Sequence, residues 1–234
     1  MNIPRHIAII PDGNRRWAMK QNLSVSKGYN KGVDAIKEVM ENSFDIGIPC
    51  LSFWGASPAN LSKRPKREVR FIEALYEENF KKLVEDPVIH KQQIRVRVLG
   101  EWDSILGDRA RQAIISAIDS TKQYNCFSLN FLIGYDGTTE MVTAIENIVH
   151  QVYLNPEIKI TQELIKKNLY THDIPPVDLL IRTGGEPHLS AGFMMWEIAD
   201  AQLYFSDKYW PDFSENDLRK AIEEYQNRGR RYGK

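Results

Sequence analysis

The amino-acid sequence predicts an α/β protein with a mainly parallel central sheet surrounded by helices. Short runs rich in β-branched and aromatic residues alternate with longer runs of helical periodicity, which is the pattern of βαβ units. Several of the short runs are continuously apolar, as expected for strands that are covered on both faces. The 234 residues contain no internal repeat, low-complexity tract or long linker, so we predict a single domain over residues 1–234.

The predicted elements follow from local composition and periodicity. Each strand is bounded by Pro, Gly or polar residues. The predicted strands are residues 6–10, 50–54, 94–99, 128–133 and 177–181. The predicted helices are residues 31–44, 68–84, 108–123, 138–151, 161–169 and 214–226. The spacing of Val33, Ile36 and Met40 supports the first helix, and Ser214 with Asp217 resembles a capping box at the start of the last.

Composition and charge argue against several classes of protein. Hydrophobic residues make up 42% and charged residues 26% of the chain, which is typical of a folded globular protein. With 31 basic and 31 acidic residues the net charge is zero, which argues against a nucleic-acid-binding protein. No run of 18 apolar residues predicts a transmembrane helix, and the start of the chain does not resemble a signal peptide. Two cysteines, Cys50 and Cys126, form neither a disulfide framework nor a zinc ligand set, so we expect a cytoplasmic protein.

The segment after the first strand combines groups that suit a phosphate and a metal ion. Ligands bind parallel α/β sheets beyond the carboxyl ends of the strands. Residues 11–17 read PDGNRRW and open a helix, where Gly13 permits close approach of the backbone. Arg15 or Arg16 is suited to clamp phosphate oxygens, and Asp12 beside a phosphate is suited to bind Mg²⁺. Taken alone, a plain Asp-Gly-Asn turn with solvated arginines explains the same residues.

Two further strand ends carry similar chemistry. Small polar and cationic residues occupy residues 55–65, although a plain surface loop explains them in isolation. Residues 182–190, RTGGEPHLS, form a second candidate anion site, and the basic segment 228–234 either completes a phosphate site or is a solvated tail. Three such strand ends indicate a ligand with two anionic groups, or two anionic ligands. The chain has no P-loop and no GxGxxG motif, so a nucleotide is not favoured.

Taken together, these segments resemble the cis-prenyltransferases, the undecaprenyl diphosphate synthase-like enzymes. Residues 6–17, HIAIIPDGNRRW, are similar to the family pattern H-x-A-I-I-x-D-G-N-x-R-W. Residues 57–65 resemble S-x-x-N…R-P, residues 129–137 resemble L-N-x-x-x-x-Y-x-G, and residues 178–186 resemble D-L-x-I-R-T-x-G-E. Trp196 and residues 203–205, 210–213 and 230–233 complete the match. The motifs cover nearly the whole chain in order, which is far more specific than any one of them.

The resemblance implies a fold, a reaction and a partner. It implies a homodimer of parallel-sheet domains, each with a hydrophobic tunnel. It also implies a Mg²⁺-dependent condensation of an allylic prenyl diphosphate with isopentenyl diphosphate, which forms a Z double bond. The helix at residues 68–84 is our prediction for one tunnel wall, through Val69, Phe71, Ile72, Leu75, Tyr76, Phe80 and Leu83. Core packing explains the same apolar stripe, and both can hold because a tunnel is a core left unfilled.

The family's functional residues map onto this chain by motif. Asp12 is the implied catalytic residue that positions Mg²⁺ on diphosphate. The primer site maps onto Gly13, Asn14, Arg15, Arg16 and Trp17, and the isopentenyl diphosphate site onto Arg182, His188 and Ser190. Ser57 and Asn60 correspond to polar groups near the condensing carbons, Arg64 to the cation of the second loop, and Arg231 and Gly233 to a segment that reaches the neighbouring subunit. The base remains open between released pyrophosphate, Asp12 and a water held by Ser57 and Asn60.

Several positions depart from the family pattern. Val25 and Tyr29 replace an arginine and a histidine that flank the glycine here numbered Gly28, which removes part of the expected primer clamp. His188 replaces an arginine, and an imidazole is a poorer diphosphate clamp. Gln202 replaces the glutamate expected to bind Mg²⁺ with Asp12, and an amide brings oxygen without charge. Glu197 or Asp200 are candidate substitutes for that glutamate. One extra residue lies within residues 190–193 and another between residues 60 and 64.

The sequence favours an active prenyltransferase and leaves alternatives open. A long-chain polyprenyl diphosphate is the family default, and a short or unusual product is the alternative. A non-catalytic accessory subunit is a second hypothesis, favoured mildly by Gln202 and opposed by the intact segment around Asp12. A nucleic-acid-binding module rests on the basic tail alone and is not favoured. Peripheral membrane contact is expected at most for delivery of a greasy product.

Overall fold

Six parallel strands form the sheet at the centre of this computed structural model, which describes residues 3–228. The strands are β1 (His6–Ile10), β2 (Cys50–Ala56), β3 (Ile94–Leu99), β4 (Phe127–Ile133), β5 (Leu179–Arg182) and β6 (Gln202–Phe205). Their order is β3-β4-β2-β1-β5-β6, and each neighbouring pair is parallel. Parallel strands end at one edge of a sheet, so the segments that follow β1, β2 and β5 meet there. The predicted fold class is therefore confirmed.

Helices cover both faces of the sheet. They are α1 (Asn14–Lys20), α2 (Val25–Ile46), α3 (Pro58–Lys63), α4 (Lys66–Glu85), α5 (Pro87–Lys91), α6 (Trp102–Ile105), α7 (Asp108–Thr121), α8 (Gly137–Leu154), α9 (Gln162–Asn168) and α10 (Glu215–Asn227). A 3₁₀ turn over Trp210–Asp212 precedes α10. The capping box predicted at Ser214 and Asp217 is present. No helix within residues 3–228 is long and apolar enough to cross a membrane.

The residues of β1 show why its sequence is apolar throughout. All five of its residues are buried. Ile7 and Ile9 pack with residues of α2 and α10 on one face. Ala8 and Ile10 pack on the other face with Tyr135 and with residues that follow β5. A strand with two covered faces needs apolar side chains at odd and even positions alike.

The structure differs from the sequence prediction at α2 and β6. Helix α2 begins at Val25, six residues before the predicted start, and includes Gly28 and Gly32. Glycine is a poor helix former, but a Cβ at Gly28 would lie 2.2 Å from the backbone oxygen of Asn14. Close packing of α2 on α1 therefore requires these glycines and overrides their propensity. Strand β6 was not predicted, because a four-residue edge strand with partly exposed side chains carries little periodic signal.

Candidate active site

The carboxylate of Asp12 lies between two arginines at the edge where β1 and β5 end. Its Oδ1 accepts a hydrogen bond from Arg16 Nη2 at 2.9 Å, and its Oδ2 accepts one from Arg182 Nη2 at 3.0 Å. The backbone oxygen of Asp12 accepts from Thr183 Oγ1 at 2.8 Å and from the Trp210 amide at 2.9 Å. Both the carboxylate and the backbone are therefore fixed, while 32% of the side chain stays exposed to a ligand.

Arg182 joins the segment that follows β5 to Asp12. Its side chain is 5% exposed, and its Nη1 donates to Ser190 Oγ at 2.7 Å and to the His188 carbonyl at 2.6 Å. Its Nε is buried and has no hydrogen-bond partner among the described residues. A buried cationic donor without a partner is costly unless a ligand supplies an acceptor, and an anionic oxygen is the strongest one. Arg182 and Ser190, predicted as neighbours in one site, do lie together.

Arg16 links the segment after β1 to the segment after β5. Its Nη1 donates to the Gly184 carbonyl at 2.9 Å and to Glu186 Oε1 at 3.0 Å. Its guanidinium carbon lies 5.4 Å from the centre of the Tyr209 ring. A Cβ at Gly184, where φ is +92°, would lie 2.7 Å from Arg16 Nη2. This glycine therefore gives Arg16 the room to reach Asp12.

A hydrogen-bonded chain orders the loop after β2. Asn60 Nδ2 donates to Ser57 Oγ at 2.7 Å, and Arg64 Nη2 donates to Asn60 Oδ1 at 3.1 Å. Arg64 Nη1 donates to the Tyr29 hydroxyl at 2.7 Å, which itself donates to Glu68 Oε1 at 2.8 Å. Burial raises the pKa of Tyr29, so its hydroxyl stays protonated and can fill both roles. Tyr29, noted in the sequence as a departure from the family pattern, is thus a member of the site.

A cavity of about 530 Å³ begins at these polar groups and runs between α2, α4 and the sheet. Its volume lies in the range of ligand-binding pockets. The polar residues at its head include Asp12, Asn14, Arg15, Arg16 and Arg64. Five residues of the predicted wall line it, namely Ile72, Leu75, Tyr76, Phe80 and Leu83, whereas Val69 and Phe71 do not. An anionic head group and an apolar tail of one ligand would therefore find matching surfaces.

Among the residues that the structure describes, Asp12 is the carboxylate that lines this head of the cavity. Within residues 3–228 no group of three His, Cys, Asp or Glu side chains is arranged to hold a metal ion. Mg²⁺ is commonly held by one or two carboxylates together with substrate phosphates and waters. Asp12 fits that kind of site, because its partly exposed oxygens stand beside arginines that suit a diphosphate.

The structure does not bring the second predicted metal ligand, Gln202, to Asp12 within one chain. Gln202 opens β6 and pairs with Leu179 at the start of β5, whereas Asp12 follows the end of β1. Its Nε2 donates to the Arg228 carbonyl at 3.3 Å. Glu197 is no substitute, because it is 2% exposed and its Oε1 is bound by Lys166 Nζ at 2.5 Å. The prediction rested on motif position, which does not tell which end of a strand a residue occupies.

Other predicted site residues have different surroundings. The indole of Trp17 donates to Asp212 Oδ1 at 2.7 Å and is not part of the cavity lining. The imidazole of His188 is exposed, with Nδ1 3.7 Å from Glu186 Oε2, so its backbone carbonyl rather than its ring meets Arg182. Arg231 and Gly233 lie outside the described residues. Gly13 has a φ of +111°, and a Cβ there would lie 2.7 Å from the Tyr209 ring.

Comparison with known proteins identifies the family. The family model for undecaprenyl diphosphate synthase matches residues 10–233. The chain belongs to the undecaprenyl diphosphate synthase family. Like the other members of this family, it is a prenyltransferase.

Relatives of this undecaprenyl diphosphate synthase family member are similar over nearly the whole chain. A tritrans,polycis-undecaprenyl-diphosphate synthase (geranylgeranyl-diphosphate specific) of Methanopyrus kandleri is 39% identical over 99% of this chain and 85% of its own length. An isoprenyl transferase of Thermotoga maritima is 36% identical over 100% of this chain and 98% of its own. The crystal structure of lavandulyl diphosphate synthase from Lavandula x intermedia, in complex with dimethylallyl diphosphate, has a TM-score of 0.91 at 31% identity, covering 99% of both chains.

Proposed function

We propose that this prenyltransferase condenses isopentenyl diphosphate with an allylic prenyl diphosphate, with Mg²⁺ as cofactor, to give a Z-prenyl diphosphate. The observation that carries the proposal is the Asp12 carboxylate, held between Arg16 and Arg182 at the head of an apolar cavity. The names of the relatives support prenyl diphosphates as substrates and products.

The residues at the cavity head suit the breaking of the allylic C–O bond. As that bond breaks, negative charge develops on the departing diphosphate and positive charge on the allylic carbon. Arg15, Arg16 and Arg64 line the head and offer fixed cations to the diphosphate oxygens. The apolar wall from α4 excludes water from the allylic carbon, so that the isopentenyl double bond rather than water attacks it.

The second substrate has its own candidate groups beside Asp12. Arg182 holds Ser190 and carries a buried Nε without a partner among the described residues, so its fixed positive charge beside Asp12 suits the diphosphate of isopentenyl diphosphate. Mg²⁺, held by Asp12 and by diphosphate oxygens, would neutralise phosphate charge when it is bound. After the new carbon–carbon bond forms, a proton leaves the isopentenyl unit to generate the double bond. Ser57 and Asn60, joined to each other at 2.7 Å, are the polar pair suited to hold a water that accepts it.

Product analysis tests this proposal directly. Labelled isopentenyl diphosphate is incubated with allylic diphosphates of increasing length, with Mg²⁺ or with a chelator, and the products are separated by length. We expect Mg²⁺-dependent elongation. A long polyprenyl product would match the relatives named undecaprenyl diphosphate synthase. A short product would match the similar structure of lavandulyl diphosphate synthase. Absence of product with every primer would favour the accessory-subunit hypothesis, which the comparisons do not favour.

Tyr29 provides a prediction within the site. Tyr29→Phe removes the acceptor of Arg64 and the donor to Glu68. Because hydrogen bonds to charged groups contribute about 1.5–3 kcal/mol, we expect kcat/KM to fall about 10-fold to 100-fold. Steady-state kinetics measure the effect, with Tyr170→Phe as the matched control, because it removes a hydroxyl that bonds Thr143 Oγ1 at 3.3 Å outside the cavity. Wild-type kinetics for Tyr29→Phe would remove this tyrosine from the functional site.

We propose a homodimer in which a second copy covers the exposed face of α8. Val142, Ile145, Val149 and Tyr153 form one helical stripe and are 55%, 55%, 62% and 83% exposed. Exposed apolar patches of this kind mark interaction sites. We expect Val149→Asp to elute as a monomer in size-exclusion chromatography with light scattering, while Asn147→Asp on another face of α8 stays dimeric. A dimeric Val149→Asp would place the interface elsewhere.

The proposed metal role of Gln202 requires the second copy. Gln202 lies on β6, an edge strand of the sheet in the described residues, and its Oε1 is buried without a hydrogen-bond partner, so the metal role requires both a partner chain and exposure of this oxygen. We expect Gln202→Glu to lower the Mg²⁺ concentration at half-maximal activity, because a carboxylate attracts the cation more strongly than an amide. An unchanged Mg²⁺ dependence would exclude residue 202 from the metal site.

We also propose a cytoplasmic enzyme with peripheral membrane contact during release of an apolar product.

A further inference from the structure

We infer that a second pocket binds a small oxoanion of the phosphate class. It lies at the end of the sheet where the parallel strands begin, opposite the candidate active site. The pocket has a volume of about 280 Å³ and lies where β2 and β4 begin. The residues that line it are Arg5, Pro49, Cys50, Arg95, Arg97, Tyr124, Asn125, Cys126, Phe127, Ser128, Asp173 and Pro175. The length of β2 separates this pocket from the cavity head by about 20 Å. It is therefore distinct from the candidate active site and independent of the proposed function.

Three arginines converge on this pocket from different parts of the chain. Arg95 and Arg97 alternate along β3, so their side chains share one face of the sheet, and Arg5 immediately precedes β1. The side-chain ion pairs observed within residues 3–228 include none of the three arginines, and the Asp178 carboxylate accepts a hydrogen bond from the Arg5 amide at 2.7 Å. The acidic residue in the lining, Asp173, has its ion-pair contact with His172, at 3.4 Å. The pocket thus carries more positive than negative charge.

The position of Arg97 makes this excess charge unfavourable without a ligand. Burial lowers the pKa of Arg97, and repulsion from Arg95 lowers it further, against a weaker attraction from Asp173. Arginines on an edge strand commonly serve to block pairing with other strands, and such side chains point into water. Arg97 is instead partly buried and lines a concave surface. An oxoanion bound between the arginines would offset the desolvation cost by direct attraction and would reduce the repulsion between the two cations.

A buried hydrogen-bonded ladder holds Arg97 in position. Arg97 Nη1 donates to Ser128 Oγ at 2.6 Å, and Ser128 Oγ donates to Asn130 Oδ1 at 2.9 Å. Asn130 Nδ2 donates to Ser52 Oγ at 3.1 Å, which lies 2.8 Å from His6 Nε2. Burial lowers the pKa of His6 to about 4, so this residue is neutral near pH 7 and adds no charge to the ladder. The ladder orients one side of the guanidinium and leaves the rest of its donors directed at the pocket.

The size and donor set of the pocket specify the ligand class. Guanidinium groups bind tetrahedral phosphate oxygens in pairs through two N–H groups. A volume of about 280 Å³ suits a small ligand, such as phosphate, diphosphate or a compact phosphate monoester. Citrate has a similar charge, but its three carboxylates are spread over a branched carbon skeleton, so this bulkier anion serves as the discriminating probe.

Isothermal titration calorimetry with diphosphate in the absence of Mg²⁺ tests the inference. We expect the wild type to bind diphosphate at the cavity head and at one further site in this pocket, and we expect Arg95→Gln/Arg97→Gln to lose that further site alone. Arg16→Gln reports the reciprocal loss at the cavity head. The matched control is Arg70→Gln/Arg109→Gln, which removes the same charge from exposed positions on α4 and α7. If the double variant does not fold, Arg5→Gln is used instead. Arg5 is exposed before β1, and we expect this substitution to weaken diphosphate binding in the pocket about 10-fold.

Each outcome decides the inference. Loss of one diphosphate site in the pocket variants, with the control unchanged and citrate at least about 10-fold weaker, supports it. Equal weakening in the pocket and control variants shows a general charge effect and overturns it. Unchanged binding at the pocket site in Arg5→Gln, or citrate binding as tightly as diphosphate, also overturns the assignment. Prenyl transfer activity is measured separately, so failure of the proposed function would not be confused with failure of this site.

Discussion

Asp12→Asn is expected to lower kcat by about 1,000-fold or more while the protein remains folded. The amide keeps the shape of the side chain and one oxygen acceptor but removes the charge that faces Arg16 and Arg182. It also removes the carboxylate that the chain offers to Mg²⁺ at the cavity head. Loss of one preorganised electrostatic group in an active site costs about 100-fold to 1,000-fold in kcat, and here a metal ligand is lost as well. Steady-state product formation measures the effect.

A control and a stability measurement accompany this variant. Asp45→Asn, at an exposed position of α2, removes the same charge away from the site and should retain wild-type kcat. Since Arg182 is 5% exposed, loss of its charged partner should also lower the midpoint of thermal unfolding. Near-normal kcat for Asp12→Asn would contradict the role of Asp12 in positioning Mg²⁺ and in ordering the two arginines.

Arg182→Lys is expected to lower kcat/KM for isopentenyl diphosphate by about 100-fold or more. Arg182 contacts Asp12 through one nitrogen and both Ser190 and the His188 carbonyl through a second, and its buried Nε has no partner among the described residues. A lysine ammonium preserves the charge but is a single point donor, so it cannot hold these groups in one plane. Losing two hydrogen bonds to charged groups corresponds to about 3 kcal/mol or more.

Kinetics with each substrate varied in turn test the assignment of Arg182. The larger effect should fall on isopentenyl diphosphate and the smaller one on the allylic primer. Arg70→Lys on the exposed side of α4 is the matched control. Ser190→Ala should show an intermediate loss, because it removes one acceptor of Arg182. An equal effect of Arg182→Lys on both substrates would assign the residue to the shared ordering of Asp12 rather than to one diphosphate.

Most of the fold could be predicted because the sheet is buried on both faces. The predicted strands are all present, with bounds within two residues of those observed. Continuous apolar runs between helical patterns leave few other arrangements. The exceptions are physical. Strand β6 lies at an edge and carries a weak pattern, and the first turns of α2 contain Gly28, whose low helix propensity hides a close contact with α1.

The site could be predicted as a set of strand ends but not as a set of contacts. The parallel sheet brings Asp12 and Arg182 together although 170 residues separate them, as the motifs indicated. The sequence does not show that Tyr29 reaches Arg64 from the start of α2, because that contact depends on how two helices pack. It likewise does not show that Gln202 stands at the far end of its strand. Residue type and order determine which chemistry is available, while packing decides which groups meet.

The glycine contact between α1 and α2 has a consequence for engineering product length. A Cβ at Gly32 would lie 2.3 Å from the side-chain oxygen of Asn14. A larger residue at position 32 would therefore push α2 and α1 apart. The contact at Gly32 therefore fixes the spacing between α1 and α2 in this structure. The α4 side of the cavity is formed by side chains, such as Leu75 and Phe80, which can be shortened without altering the backbone. Redesign of chain length should therefore leave Gly32 unchanged and shorten side chains that line the cavity, such as Leu75 and Phe80 of α4 or Ile36 and Met40 of α2.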